Sequence, residues 1–460
     1  MAANLTERFR AVKLALALLC ASSILRGQDP AEAPAAKPKG KPLPPLAGPI
    51  LRSEVDEKAL RATIEELVAC GTRHSLSSWE DPRRGIGCAR DKILARYHAI
   101  ARSSGDRFSV LVDRFEATSP RTHDKPAPFE NVLAFLPGSD PKLQKTVFLV
   151  AGHFDSVPSS VMDSESDAPG ADDDASGTAV AIEAARLLGS SAYRATLLFA
   201  ALSGEEQGLI GGKRLLVYLK EEGYTVGGFL NNDIVGADFA PGGPHRVRVF
   251  SGSGEDGEDS PSRELARTIE EIGGRSAVRM VLRLDRLGRG GDHRPFVEAG
   301  LPAVRFTEPL ENYDHQHQNP RVENGREYGD LLKFLNFAFL GNAARINAEV
   351  LRRLAMAPAI PSEVAISGGA TPDTKISWAA EDDPERAGFE ILWRETTEPR
   401  WTLYEFAPSP GEKVLPGVST DNHFFAVRSV GKNGARSLPV AATLKPSPPK
   451  KSPEYTSQKP

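Results

Sequence analysis

Histidine and carboxylate residues recur along this sequence in a set that could bind metal ions. His153-Phe-Asp155 is followed by three consecutive aspartates at 172–174, then by Glu205-Glu206 and Asp233. Zinc takes neutral imidazole nitrogen or carboxylate oxygen as ligands. Two ions ~3.5–4 Å apart need a bridging group, which one carboxylate can supply, and a further carboxylate must accept a proton from water. The set offers a candidate for each role, which points to metal-assisted hydrolysis.

Three of these segments directly follow predicted strands. Continuous apolar runs at 146–151 and 196–202 predict buried strands, and the shorter run at 229–232 predicts a third. In an open parallel sheet, ligands gather at the carboxyl ends of the strands. We therefore expect the metal-binding candidates to lie close together, although many residues separate them along the chain.

Between residues 48 and 354, such strands alternate with helical patterns. Further strands are predicted at 108–112, 131–136 and 303–306, and helices at 57–70, 86–101, 177–188, 209–222 and 328–354. This alternation predicts an α/β domain whose mostly parallel central sheet carries helices on both faces.

The pattern changes after residue 360. Short apolar runs about 8–12 residues apart, separated by Pro, Gly and Asp, predict an all-β immunoglobulin-like sandwich over 360–445. Lys375-Ile-Ser-Trp378, Gly388-Phe-Glu-Ile-Leu-Trp393 and Phe424-Phe-Ala-Val-Arg428 give this part a loose resemblance to a fibronectin type III domain. Its tryptophans are predicted to lie in the core. Contact with a polymer or a surface remains open, as does a role as spacer.

The set of metal-binding candidates, taken in order, resembles the co-catalytic zinc aminopeptidases. This family includes bacterial leucyl aminopeptidases, glutamate carboxypeptidase II and the transferrin receptor. The resemblance covers about residues 50–350. It rests on Ala151-Gly-His-Phe-Asp-Ser156, Pro169-Gly-Ala-Asp-Asp-Asp-Ala-Ser-Gly177, Glu205-Glu206-Gln-Gly208, Asn232-Asp233 and a late histidine. It implies a zinc-exopeptidase fold, two zinc ions per chain, and removal of residues from the N-termini of peptides or proteins.

The resemblance also implies which residues bind the ions. His153 and Asp233 would bind the first zinc and Glu206 the second. Asp173 would bridge both ions, with a cis peptide bond to Asp174. Cobalt or manganese would accept similar ligands.

Two catalytic roles follow from the same resemblance. Glu205 would be the general base, and Asp155 would orient the imidazole of His153. A carboxylate partner of this kind fixes the tautomer and the ring orientation of a ligating histidine.

The last metal ligand is the least well defined by the sequence. The segment Asn312-Tyr-Asp-His-Gln-His-Gln-Asn-Pro320 lacks the downstream Asp of the family pattern and contains two histidines. The Gln-His form of the motif favours His317 over His315. In an extended segment the two side chains would point to opposite sides, so only one should reach the metal.

Several of these residues also have purely structural interpretations. Asp172 and Asp174, taken singly, would be solvated turn residues. For Asp292, a role as N-cap of the helix that follows it is at least as well supported as a contact with substrate. His74 is predicted to lie at the surface or in a turn.

Two other functions remain open beside the aminopeptidase. A carboxypeptidase or dipeptidase on the same scaffold could carry an inserted dimerisation domain, for which the chain between Asp233 and His317 is short. A catalytically inactive binding or receptor protein would have lost metal ligands or the base, and here every position is filled. The preferred N-terminal residue and the oligomeric state are not readable from the sequence.

The N-terminal region predicts export. Arg8, Arg10 and Lys13 precede an apolar stretch at 14–25 that is too short for a membrane span, so residues 1–27 are predicted to be a signal peptide. A soluble protein in the periplasm or outside the cell is expected. Pro, Ala and Lys predict a linker at 28–47, and residues 446–460 are predicted to be a disordered tail.

Composition adds two constraints. The 460 residues are enough for two or three domains, and a net charge of −4 without a basic stripe argues against nucleic acid as a partner. In an oxidising compartment Cys70 and Cys88 could form a disulfide, but two free buried thiols fit the sequence equally well.

Overall fold

The computed structural model describes residues 41–42, 50, 52–242, 245–252, 259–282, 290–367 and 371–444. The predicted signal peptide and tail lie outside this part, as does most of the predicted linker. The helices are, in chain order, α1 (Glu57–Val68), α2 (Ile86–Ser103), α3 (Ala175–Leu188), α4 (Ile210–Glu221), α5 (Pro261–Gly273), α6 (Arg294–Glu298) and α7 (Phe337–Met356).

The strands fall into two groups separated by α7. Those before it are β1 (Lys41–Pro42), β2 (Ser109–Ala117), β3 (Ala127–Leu136), β4 (Thr146–His153), β5 (Thr196–Leu202), β6 (Thr225–Asn232), β7 (Val247–Phe250), β8 (Val278–Val281), β9 (Ala303–Thr307), β10 (Arg321–Glu323) and β11 (Arg326–Tyr328). Those after it are β12 (Ser362–Ser367), β13 (Thr374–Ala379), β14 (Arg386–Glu395), β15 (Leu403–Ala407), β16 (Gly411–Leu415), β17 (His423–Gly431), β18 (Val440–Ala441) and β19 (Thr443–Leu444).

Eight strands form one mixed sheet in the order β2-β3-β5-β4-β6-β9-β7-β8. The four central strands, β5, β4, β6 and β9, run parallel to one another. Antiparallel pairs lie on both sides of this centre, between β3 and β5 and between β9 and β7. The mostly parallel sheet that the sequence predicts is therefore parallel at its centre, and the strands that carry the metal-binding candidates are central.

Helices cover both faces of this sheet, because successive side chains of a buried strand point to opposite sides. On β5, Leu198 and Leu202 pack with Leu215 of α4 and Phe296 of α6. The neighbouring Phe199 belongs to the larger core on the other face. That core is completed by α1, α2, α3, α5 and α7.

The N-terminus of α3 lies directly against the sheet. Atoms added as a Cβ at Gly177 would come within 2.3 Å of the carbonyl oxygen of Asn232, and a Cβ at Gly152 would come equally close to Gly177. Only glycines therefore allow this helix to approach β4 and β6, and the approach places the preceding aspartates beside the strand ends.

The C-terminal part is built from two mostly antiparallel sheets. The sheet β1-β15-β14-β17-β18 faces the sheet β16-β13-β12-β19, in which β19 pairs parallel with β12. Ile376 and Trp378 from one sheet pack with Phe389 and Trp393 from the other, and the rings of Trp378 and Phe389 meet edge to face at 5.8 Å. This is the predicted sandwich, with its tryptophans in the interior. Lys41–Pro42, within the predicted linker, adds a short strand to its edge.

The sandwich is joined to helix α5 by side chains that are mostly buried. Arg428 donates to Glu271 at 2.8 and 3.1 Å, and the indole N–H of Trp401 donates to Glu264 at 2.6 Å. Arg400 pairs with Glu270 beside them. Both parts belong to one compact unit.

Two predictions of local structure were wrong or incomplete. The last helix of the α/β part begins at Phe337 and not at 328, because the side chain of Asn336 caps it by accepting from the N–H of Phe339 at 3.1 Å. The preceding residues form β11 and a short 3-10 turn. The elements β7, β8 and α5 were not predicted at all.

The question left open about the cysteines is decided by the structure. Cys70 and Cys88 form a disulfide, with their Cα atoms 5.9 Å apart, between the end of α1 and the start of α2. Such bonds persist in oxidising compartments. None of the described helices has the length and apolarity to cross a membrane.

Candidate metal centre

The carboxyl ends of three adjacent strands bring the candidate residues together. His153 is the last residue of β4, and Asp233 directly follows β6. Glu205 and Glu206 lie in the turn after β5. Because β4 pairs in parallel with both β5 and β6, the carboxyl ends of all three strands lie at one edge of the sheet.

Five side chains form two overlapping groups of potential metal ligands. His153, Asp173 and Asp233 place one donor atom each within 4.8 Å of one another, and so do Asp173, Glu206 and His317. Asp173 belongs to both groups. These five residues are the metal-ligand candidates named from the sequence.

The two oxygens of Asp173 face different histidines. Oδ1 lies 3.2 Å from Nε2 of His153, and Oδ2 lies 3.0 Å from Nε2 of His317. Glu206 Oε1 lies 2.9 Å from the same His317 nitrogen, but receives no hydrogen bond. Two ligands that are each ~2.0–2.1 Å from a tetrahedral zinc ion are about 3.3 Å apart. The donor types and their spacing therefore fit two zinc ions that share Asp173.

The charges of the group agree with this fit. Burial opposes a charged His153, yet the carboxylates of Asp155 and Asp173 outweigh it and raise the pKa of His153 well above its usual value. The negative charge of Glu206, helped by Asp173, outweighs burial and raises the pKa of His317 to about 12. So strong a pull on protons marks a pocket whose carboxylates attract cations of any kind.

Asp155 connects two of these segments. Its Oδ2 accepts hydrogen bonds from the N–H of Glu206 and from the hydroxyl of Ser75, both at 3.1 Å. Its Oδ1 accepts from the N–H of Glu205 at 3.3 Å and lies 3.4 Å from Nδ1 of His153. One buried carboxylate thus faces the His153 ring and holds the backbone of the two glutamates.

Buried carboxylates hold the loop that contains the three aspartates at 172–174, which we call the aspartate loop. Asp174 accepts from the N–H of His153 at 3.0 Å and caps α3 through the N–H of Gly177 at 2.8 Å. Asp172 accepts from the N–H of Gly236 at 2.6 Å. Both carboxylates are buried, so the interpretation as solvated turn residues was wrong. The peptide bond between Asp173 and Asp174 is cis.

Two residues that the sequence analysis did not single out fix this loop. The carboxylate of Asp330 accepts from the N–H groups of Asp172 and Asp173 at 2.7–3.0 Å. The guanidinium of Arg73, fully buried, donates to the carbonyls of Phe154, Pro169 and Gly170. Both are far from the loop in sequence, and no spacing rule connects them to it.

The late histidine lies in a turn and not in an extended segment. His317 has a positive φ of 50°, and its neighbour Asn319 exchanges two hydrogen bonds with Ser159 that hold the turn over the metal centre. His315 faces away and stacks on the ring of Phe334 at 3.7 Å. The turn, and not strand alternation, separates the two side chains.

A cleft of about 630 Å³ opens over this group. Glu205 lines it beside the ligand candidates, and no carboxylate oxygen of Glu205 is among the two ligand groups of the described residues. Burial, together with the charges of Glu206, Asp233 and Asp292, raises the pKa of Glu205 well above its usual value. A carboxyl that lies beside the ligand candidates and is not one of them can take up and release a proton.

Two further predictions need correction. Asp292 does not cap α6, because its Oδ1 accepts from the N–H of Gly212 in α4 at 3.0 Å. His74 is fully buried, with Nε2 2.9 Å from the carbonyl of Val161 and Nδ1 accepting from Leu76. The acidic side chain of Asp233 also has a neighbour that was not foreseen, the guanidinium of Arg305 at 3.4 Å.

Sequence relatives cover most of the chain. A probable zinc metalloprotease of Leptosphaeria maculans is 40% identical over 84% of this chain and 94% of its own length. Probable zinc metalloproteases of Pyrenophora tritici-repentis and Pyricularia oryzae are also 40% identical, over 85% and 84% of this chain and 86% and 82% of theirs.

Solved structures share the fold. The Legionella pneumophila LapA aminopeptidase superposes with a TM-score of 0.51 at 20% sequence identity, over 67% of this chain and 73% of that one. LapB from the same organism gives 0.50 at 18% identity, over 66% and 74%. The model of peptidase family M28 matches residues 131–327, which contain all seven predicted site residues. The candidate metal ligands at the strand ends and the long alignments to zinc metalloproteases agree: the chain belongs to peptidase family M28 and is a zinc metallopeptidase.

Proposed function

We propose that this zinc metallopeptidase is an exported aminopeptidase that uses two zinc ions. The observation that carries the proposal is the position of Asp173, whose two oxygens face His153 and His317 at 3.2 and 3.0 Å. A carboxylate placed in this way can bridge two ions. His153 and Asp233 would complete one site, and Glu206 and His317 the other.

Zinc, when bound, supplies a Lewis acid that acidifies water and polarises a carbonyl group. The chain itself supplies the proton transfer. Glu205 lines the cleft next to the ligand candidates, so its carboxylate would take the proton of the attacking water and pass it to the leaving amine. Asp155 would keep His153 and the Glu205-Glu206 backbone in place during this transfer.

The choice of N-termini has two supports. A free α-amine offers a nitrogen ligand that a zinc ion in this cleft could take, and the fold is shared with the LapA aminopeptidase. A carboxypeptidase or dipeptidase remains the second candidate, and an inactive binding protein the third. The filled ligand set disfavours the third.

Two further parts of the proposal concern the rest of the chain. Export is supported by the N-terminal sequence pattern and by the disulfide between Cys70 and Cys88. The C-terminal sandwich is proposed to be fibronectin type III-like. Its buried contacts with α5 support a role in stabilising the peptidase part, beside any contact with a polymer or surface.

The proposal is tested by metal analysis together with hydrolysis assays on the purified protein. We expect two zinc ions per chain and release of nitroaniline from aminoacyl-nitroanilides that stops when a chelator removes the zinc. The protein could instead hold two zinc ions and release no nitroaniline, but cleave peptides with a free C-terminus or dipeptides with both termini free. That result would move the assignment to a carboxypeptidase or dipeptidase. An absence of zinc and of activity after zinc is added would refute both.

A further inference from the structure

The cleft over the metal centre has an acidic base and a cationic rim. Its base holds four carboxylates, those of Asp173, Glu205, Glu206 and Asp233. The formal charge of two zinc ions equals the charge of these four groups. The exposed cations at the rim would therefore be the uncompensated charges that face a substrate.

Two of the rim cations are held in place by the same loop. Arg121 donates through Nη1 to the carbonyl of Glu206, and Lys213 donates through Nζ to the carbonyl of Gly208 at 2.8 Å. Arg121 belongs to a 3-10 turn whose capping box is formed by Ser119. Lys213 lies in the first turn of α4. The loop between β5 and α4 thus anchors one cation on each of two carbonyls that are two residues apart.

These two side chains keep unused hydrogen-bond donors. A guanidinium has five N–H donors and an ammonium has three, and each side chain uses one on the loop. Within the described ranges, neither side chain contacts a carboxylate. Arg294, the third cation of the rim, differs because it pairs with Glu298 at 3.2 Å. An arginine and a lysine with free donors beside a reaction centre form a site for a carboxylate.

We propose that Arg121 and Lys213 bind a carboxylate in the part of the peptide substrate that is C-terminal to the scissile bond. This rests on the proposed function, since it takes the substrate to be a peptide cleaved at this metal centre. The carboxylate can be the C-terminus of a short peptide or the side chain of an aspartate in second position. In both cases the enzyme prefers substrates that carry this carboxylate, and Arg121 and Lys213 determine the preference.

Two matched pairs of peptides separate these sources. The first pair is Leu-Ala and its C-terminal amide, and the second is Leu-Asp-Ala amide and Leu-Asn-Ala amide. We expect kcat/KM to be about tenfold higher for the charged member of at least one pair, because charge-assisted hydrogen bonds are about twice as strong as neutral ones. A preference within the first pair identifies the C-terminal carboxylate, and a preference within the second identifies the side chain.

The ratio within a pair should fall to about one in the double variant Arg121→Gln/Lys213→Gln. A ratio is used because it is independent of any general loss of folded or active protein. The matched control is Lys220→Gln, which removes a lysine from the last turn of the same helix, outside the cleft, and should keep the wild-type ratio. Ratios near one in the wild type, or a preference that survives the double variant, would overturn the proposal.

A binding measurement keeps this test independent of turnover. Isothermal titration of the same peptides into zinc-loaded Glu205→Gln protein should show tighter binding of the charged members, and the double variant made in that background should not. If the wild type cleaves no peptide but the binding preference is present, the proposed function fails and the carboxylate site stands. If all four peptides are cleaved at equal rates and bind equally, the function stands and the carboxylate site fails.

Discussion

The carboxylate of Asp155 accepts a hydrogen bond of 3.1 Å from the backbone N–H of Glu206, and so the residue expected to orient one metal ligand also holds another. Its second oxygen receives the N–H of Glu205 and faces the ring of His153. The side chain is fully buried. The geometry of both proposed zinc sites therefore depends on one negative charge.

Replacing Asp155 with Asn should weaken zinc binding by ~10–100-fold, the usual range when a residue behind a metal ligand is lost. An amide has one acceptor oxygen where the carboxylate has two, and it carries no charge to stabilise His153. The measurement is a zinc titration against a competing chelator. Ser75→Ala is the control, because it removes one neutral donor to Asp155 and leaves the charge in place. Equal zinc affinity of the Asp155 variant and the wild type would limit Asp155 to a structural part.

The neighbouring glutamates should respond in opposite ways to the same substitution. Glu205→Gln should keep two zinc ions and lose ~10²–10⁴-fold in kcat, since it removes only the proton acceptor. Glu206→Gln should lose zinc, because Glu206 belongs to one of the ligand groups. Elemental analysis and turnover on the same samples test both. Near-normal turnover of the Glu205 variant would remove it from the mechanism, and full zinc content of the Glu206 variant would remove that residue from the ligands.

Arg428 should contribute strongly to the stability of the whole chain. Its side chain is buried and bonds Glu390 at 2.7 Å within the sandwich and Glu271 on α5. Arg428→Met leaves a buried carboxylate with one partner fewer, for which a loss of ~3–5 kcal/mol is expected in the free energy of unfolding by urea. Lys375→Met, at the exposed pair with Glu412, should cost less than ~1 kcal/mol. Similar losses for both variants would contradict this assignment.

Glu390 is expected to make the free energy of unfolding depend on pH in the acid range. Burial favours its neutral form, but the charges of Arg428 and Arg436 outweigh burial and lower the pKa of Glu390 below 4.5. The folded pKa is thus below the unfolded one, so the contribution of Glu390 is complete about one pH unit above the unfolded pKa and is lost as the pH falls through the folded pKa.

This dependence is measurable as a difference between two proteins. The free energy of unfolding of the wild type should fall more steeply below pH 4.5 than that of Glu390→Gln, and the difference should be constant above about pH 5.5. Loss of zinc in acid affects both proteins and cancels in the comparison. Parallel curves over the whole range would show that Glu390 does not titrate as its partners imply.

The parts of the α/β fold that carry the site were largely predictable from the sequence. The strands at 146–151 and 196–202 are continuous apolar runs because both of their faces are buried, and the structure has strands at Thr146–His153 and Thr196–Leu202. Their central place in the sheet explains why the residues that follow them meet. His153, Glu206 and Asp233 combine a metal-binding side chain with such a position, whereas Asp173 and His317 could be named only from the family resemblance.

The supports of the site were not predictable in the same way. Arg73 and Asp330 act through bonds to backbone atoms about a hundred residues away or more, and no local pattern records such bonds. Helix α5 was missed because its inner face carries Glu264, Arg267 and Glu270, which read as surface residues. They are buried because the sandwich supplies their partners. Local periodicity cannot reveal a partner that lies in another domain.

The contacts of α5 have a consequence for synthesis. The helix occupies the middle of the chain, but Arg400, which pairs with its buried Glu270, and Arg428, which pairs with its Glu271, come more than a hundred positions later. While the chain emerges from the ribosome or from a translocation channel, Glu264 has Arg267 of the same helix beside it, but Glu270 and Glu271 still lack their arginine partners. We therefore expect helix α5 to complete its packing only after the residues of the sandwich have been made.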